Sequence, residues 1–193
     1  MRSLNEYITV DESRQDNLRP ASKKELRELI NQRIKEQGPK CDLNDIDVSN
    51  ITDMSLLFLD SKFNGDISEW DVSNVRNMYC MFEHSTFNGD LSRWDVSHVT
   101  DMRGMFQHSK FNGDISDWDV SRVKEMGFMF FGSEFNGDIS KWNVSNVENM
   151  YNMFAYSKFK GNISKWNVLS AKHKDLMFFK SPLDGKEPSW YRK

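Results

Sequence analysis

Cysteine is scarce in this chain, with two residues in 193, and Cys41 and Cys80 fall at different points of its internal pattern. That excludes a small disulfide-stapled domain and points to a reducing compartment or to no redox role. Long apolar runs are missing too. Nothing approaches the length needed to span a bilayer, and the first ten residues contain no apolar stretch of leader length. As written, the chain is expected to stay in the cytoplasm, with export to the cell surface by a non-standard route as the alternative. Charge of one sign is absent as well. The formal charge of −3 gives no electrostatic case for nucleic acid or an anionic membrane. Hydrophobic residues make up 38% of the chain, low for a compact globule.

What is present is repetition. Phe63-Asn-Gly-Asp-Ile-Ser-Glu-Trp70-Asp-Val-Ser-Asn-Val75 returns from Phe87, Phe111 and Phe135, and in worn form from Phe159. Trp70, Trp94, Trp118, Trp142, Trp166 and Trp190 each follow the last by 24 residues. A fixed period of this length predicts a solenoid of coils, each unable to bury its apolar stripe alone. Coils are expected at 39–62, 63–86, 87–110, 111–134, 135–158 and 159–182. Residues 1–21 form a polar leading segment and 183–193 a degenerate C-terminal cap. Ser22-Lys-Lys-Glu25 reads as a capping box, and Leu26, Leu29, Ile30 and Ile34 follow at helical spacing before Gly38-Pro39. That predicts an N-terminal capping helix within 22–38.

Within a coil, residues 66–72 alternate loosely through Ile, Trp and Val, which predicts a short parallel strand. Met78, Met81 and Phe82 stand at i, i+3, i+4, which predicts a short helical turn. The fold class expected is therefore α/β, one strand plus one helical turn per coil.

The unit Phe-Asn-Gly-Asp-Ile-Ser-x-Trp-Asp-Val-Ser-x-Val-x-x-Met-x-x-Met-Phe resembles the repeat of the BspA-like leucine-rich-repeat proteins over about 39–182. The resemblance implies a right-handed leucine-rich-repeat-like solenoid, and a surface adhesion or host-interaction role recognising protein or carbohydrate. It brings no catalytic residues.

Candidate chemistry is thin. The methionine columns at the slots of Met78 and Met81 read as core filling rather than a copper or redox store. Two aspartate columns, Asp42, Asp66, Asp90, Asp114, Asp138 and Asp47, Asp71, Asp95, Asp119, could bridge calcium. Asn143, Asn162 and Asn167 replace Asp without disturbing the pattern, so capping of each residue's own turn is preferred. Cys80, His84 and His108 are weak zinc candidates lacking a fourth ligand. No nucleophile–base grouping or phosphate loop breaks the period, so neither an enzyme nor a cofactor is expected.

Slots that vary between coils are free for recognition. One column, expected beside the strand, runs Glu69, Arg93, Asp117, Lys141, Lys165. On the other side Phe128, Phe131, Tyr151 and Tyr156 gather on two adjacent coils, with Tyr79 and Arg103 in the same columns. Clustered exposed aromatics signal a partner site; the alternative is that Phe128 and Phe131 fill space left by Gly127 and Gly132. The reading is a monomeric interaction scaffold with a protein partner.

Overall fold

The computed structural model describes residues 18–191, so most of the polar leading segment lies outside the described residues. One helix, α1 (Lys23–Gln37), precedes the repeats. The Ser22 side chain accepts from the Glu25 amide at 3.3 Å, and Glu25 in turn accepts from the Ala21 amide at 2.8 Å. Gly38 ends the helix at φ 88°, its amide on the Ile34 carbonyl. Leu26 and Ile30 are fully buried. Polar anchors hold α1 on the first coil: Lys23 Nζ lies 2.6 Å from Asp53, Arg33 lies 2.8 Å from Asp45, and Arg27 donates to the Leu56 carbonyl at 2.6 Å.

Beyond α1 the expected strand-plus-helix coil is not there. Among the described residues there is no extended strand and no second helix; parallel pairing is reduced to isolated bridges. One bridge joins Asp42 to Asp66, and a column runs Asp53, Asn77, Asp101, Glu125, Asn149, His173. The α/β leucine-rich-repeat-like solenoid, with the right-handed coil that the resemblance implied, is therefore overturned. The protein is mostly turns.

Hydrogen bonding shows why each expectation failed. Residues 66–75 fold into two consecutive turns, Trp70 N–H to the Ile67 carbonyl at 3.2 Å and Val75 N–H to the Val72 carbonyl at 2.9 Å. Asp66 accepts from the Ser68 amide at 2.9 Å and Asp71 from the Ser73 amide at 3.1 Å. The alternation that suggested a strand is the period of these aspartate-capped turns. In residues 78–85 the methionine and phenylalanine side chains do point inward. Their backbone, however, cannot be helical. The amides of Met78, Cys80, Phe82 and His84 leave the coil for the carbonyls of Asp101, Arg103, Met105 and Gln107 at 2.8–2.9 Å. The intervening amides of Met81, Glu83 and Ser85 close turns onto residues three back. An α-helix sends every amide to the residue four back, so it cannot also supply this outward ladder. The alternation forces Cys80 and His84 into the left-handed region, at φ 50° and 55°.

Successive 24-residue units nevertheless lie against one another. The rings of Phe82, Phe106, Phe130 and Phe154 stack 5.6–5.7 Å apart. Each indole from Trp70 to Trp166 is 3–4% exposed. Its N–H donates at 2.9–3.1 Å to a backbone carbonyl of the preceding unit, as Trp118 does to Leu91. Trp190 continues that column onto Ile163 at 3.0 Å. Ten methionines fill the core: all those in the two repeat slots are buried. Side-chain burial and a neighbour's carbonyl are thus satisfied by the same residue, which fixes its spacing.

A candidate interaction face on the turn ladder

The ladder of residues 78–85 and its equivalents carries four variable slots per coil, those of Tyr79, Cys80, Glu83 and His84. Across coils four to six they hold a continuous set of rings. Phe128 meets Tyr151 edge-on at 5.3 Å and Phe131 at 5.7 Å; Phe131 meets Tyr156 at 5.4 Å. Phe128, Phe131 and Tyr151 are half-buried, and Tyr156 is 47% exposed. The space beside both glycines is occupied from other coils. A Cβ on Gly127 would meet the Asn149 side chain at 3.2 Å, and one on Gly132 would overlap the His108 ring. The rings form a continuous chain of contacts with one another.

The face extends further than the sequence suggested. Phe179, 40% exposed, meets Tyr156 edge-on at 5.5 Å, Leu176 is 47% exposed, and Lys180 Nζ stands 5.3 Å over the Tyr156 ring. Phe179, Leu176 and Lys180 occupy the slots of Phe131, Phe128 and Gly132. Their column position was the available signal, but that coil repeats the unit only in worn form.

Tyr79 and Arg103 lie toward the other end of the ladder. Arg103 grips Asp101 with Nη2 at 2.6 Å and Nε at 3.1 Å, and its guanidinium lies 5.2 Å from the Tyr79 ring centre. That carboxylate raises the arginine's pKa. Neither residue is among the ring contacts of the four-ring cluster. His84 and His108 stack at 4.7 Å, and His108 abuts Phe131 edge-on at 5.1 Å, linking the histidines to the rings. Burial and the neighbouring His84 lower the His108 pKa.

Cys80 is 4% exposed, and burial with Glu83 beside it pushes its thiol up to about 12. A buried, protonated thiol is a poor zinc ligand. No three His, Cys, Asp or Glu side chains come together to hold a metal among the described residues. The aspartate columns do cap their own turns, at 2.8–3.1 Å from the amide two residues on. Asp66, Asp90, Asp95 and Asp119 titrate below the usual carboxylate range because they accept these serine hydrogen bonds. The column Glu69, Arg93, Asp117, Lys141, Lys165 is exposed and lies on a turn, not beside a strand. Glu69 and Arg93 form an ion pair there.

Fold and face together define a repeat protein of stacked, turn-rich units with a cluster of partly exposed aromatic rings on the ladder of its later coils. The chain matches the family described as Mycoplasma protein of unknown function, DUF285, over residues 25–131 and again over 85–186, and it belongs to that family. No curated protein and no solved structure matches it. No helix among the described residues is long and apolar enough to cross a membrane.

Proposed function

We propose that the protein is a non-enzymatic interaction scaffold whose protein partner docks on the ladder face centred on Phe128, Phe131, Tyr151 and Tyr156. The observation that carries this is the ring cluster itself: aromatic side chains in variable slots, partly open to solvent and in contact with each other. Aromatic anchors of this kind supply most of the affinity in protein interfaces. The BspA-like resemblance supports a macromolecular partner. Its carbohydrate-adhesin form would have to use other side chains, because the indoles of Trp70 to Trp166 are buried and offer no open platform for a sugar ring.

The test is capture by the immobilised chain and by its Phe128→Ala/Tyr151→Ala variant. Both rings are partly exposed, so the variant should keep its near-ultraviolet circular dichroism. Loss of two aromatic anchors at about 2 kcal/mol each should lower affinity by more than ~100-fold. A partner retained at full strength by a folded double variant would reject this face.

A further inference from the structure

A second surface, sharing no residue with the ring cluster, carries features that packing does not explain. An open groove crosses coils four to six and is lined by Arg122, Lys124, Asn146, Glu148, Leu169 and Lys172 among others. Leu169 is 93% exposed. Its slot is serine in the five preceding coils (Ser49, Ser73, Ser97, Ser121, Ser145). The turn there survives without the hydroxyl, since the Leu169 amide still bonds Asn167 at 3.3 Å. The leucine therefore does nothing for the coil and places an apolar side chain in water.

The groove's charge is one-sided. Lys172 pairs with Glu148 at 2.6 Å, and Lys172 and Lys124 together hold that carboxylate below its ordinary range. Among the described residues the Arg122 and Lys124 side chains have neither a hydrogen bond nor an ion pair. Arg122 acts only through space, on an Asp119 already committed to Ser121. In two other coils the Arg122 slot holds Asn74 and Asn146, whose amides bond the preceding coil's serine carbonyl at 2.9 and 2.7 Å; Asn50, His98 and Ser170 fill the rest. Arg122 gives up that bond. Two unpaired cations flanked by an open leucine match a ligand that alternates carboxylates with an apolar side chain. Coils about 4.8 Å apart and an extended chain rising about 3.3 Å per residue let a peptide of four to six residues cross the groove.

We propose that this groove is a second docking site, for an acidic peptide segment bearing a leucine-like side chain, with Arg122 and Lys124 binding its carboxylates and Leu169 its apolar group.

The repeat itself supplies substitutions that leave the coil intact. Arg122→Asn and Lys124→Thr install residues that the same slots carry in neighbouring coils, and Leu169→Ser restores the serine. The probe is an eight-residue fluorescein-labelled peptide of glutamate and leucine, read by fluorescence anisotropy on the full chain. Binding should weaken at least 10-fold in Arg122→Asn/Lys124→Thr, about 3-fold or more in Leu169→Ser, and with added salt. The same peptide with lysine for glutamate should not bind. Phe128→Ala/Tyr151→Ala should bind the probe as the wild type does, which separates this site from the ring cluster. Absent binding to the wild type, equal binding by the cation variants, or cation-dependent binding of phosphatidylserine vesicles or single-stranded RNA in place of the peptide would each overturn the proposal.

Discussion

Replacing the glycine two residues after each repeat's opening phenylalanine (Gly65, Gly89, Gly113, Gly137, Gly161) by alanine should destabilise the protein by amounts that fall along the chain, and the cause is visible at each site. At all five the added Cβ would press on the phenylalanine two residues earlier, at 2.7–2.9 Å. That ring is buried, so the shift it needs carries the usual overpacking cost of about 1–3 kcal/mol. The second neighbour differs. At Gly89, Gly113, Gly137 and Gly161 it is the carbonyl oxygen of the preceding turn's glycine, at 3.2, 3.3, 3.6 and 3.7 Å. At Gly65 it is the Cys41 carbonyl oxygen, which the new Cβ would overlap outright. That carbonyl already accepts from Asp66 N–H at 3.2 Å and forms part of the bridge between the first two coils. Backbone cannot swing away as a ring can. Gly65→Ala should therefore cost at least about 3 kcal/mol and Gly161→Ala about 1 kcal/mol. The assay is urea unfolding followed by tryptophan fluorescence. With a slope near 2 kcal/mol/M, the midpoints should fall by about 1.5 M and 0.5 M respectively, with intermediate values between. Unchanged slopes are required, since a stack can lose an end coil separately. If Gly65→Ala were no worse than Gly161→Ala at equal slope, the close backbone contact between the first two coils would be refuted.

Three further outcomes follow from the same contacts. Trp118→Phe removes the indole N–H that satisfies the Leu91 carbonyl at 3.0 Å, and should cost about 1–3 kcal/mol in urea unfolding; a smaller loss would mean that the carbonyl finds another donor. Stability should fall on acidification in two steps, read as melting temperature against pH. His108 is depressed in the fold, so its neutral form is favoured and stability begins to decline as pH drops below the unfolded value of 6.5. The capping aspartates are depressed too, so their contribution is complete above 3.8 and disappears as pH falls through their lower folded values. Asp→Asn at Asp95 and Asp119, imitating Asn143, should flatten the second step only. Finally, with its thiol pushed up to about 12, Cys80 should resist iodoacetamide at pH 8 in the native protein and react at once in urea; native labelling would place the sulfur nearer solvent.

The parts of this fold legible in the sequence are those where one residue answers to one constraint. The tryptophan column announced the stacking because each indole needs both a buried plane and a carbonyl one unit below. Asn143 and Asn167 announced turn capping over calcium because an amide oxygen serves a backbone N–H as well as a carboxylate does. The secondary structure failed because two different backbones give the same inward pattern. Met78, Met81 and Phe82 bury equally on a helix or on overlapping turns, and only the destination of the amides separates the cases. A hint existed in Gly104, Gly132 and Asn152, residue types that tolerate positive φ, standing in the slots of Cys80 and His84. At the candidate face, ring identity was legible but ring contact was not, and the last coil's contribution was hidden by its worn core.

The backbone of the ladder bears on how that face should be read. Ten non-glycine residues take positive φ at these two slots, among them Phe128, Tyr156, Leu176 and Lys180. Each costs of the order of 1 kcal/mol against an extended or helical alternative. A protein stable by about 5–15 kcal/mol overall keeps so many only if the ladder's hydrogen bonds over-determine them. Gly104 and Gly132 show that a strain-free residue fits the same geometry. Where bulky aromatic and aliphatic side chains stand in those slots instead, local backbone preference works against them and core packing gives them little in return, since Phe128 is only half-buried and Tyr156 and Leu176 are exposed. The ten are spread evenly, five in the first three coils and five in the last three, so the strain belongs to the ladder as a whole, and it is the poor burial of the side chains at Phe128, Tyr156 and Leu176 that sets the ring-bearing coils apart.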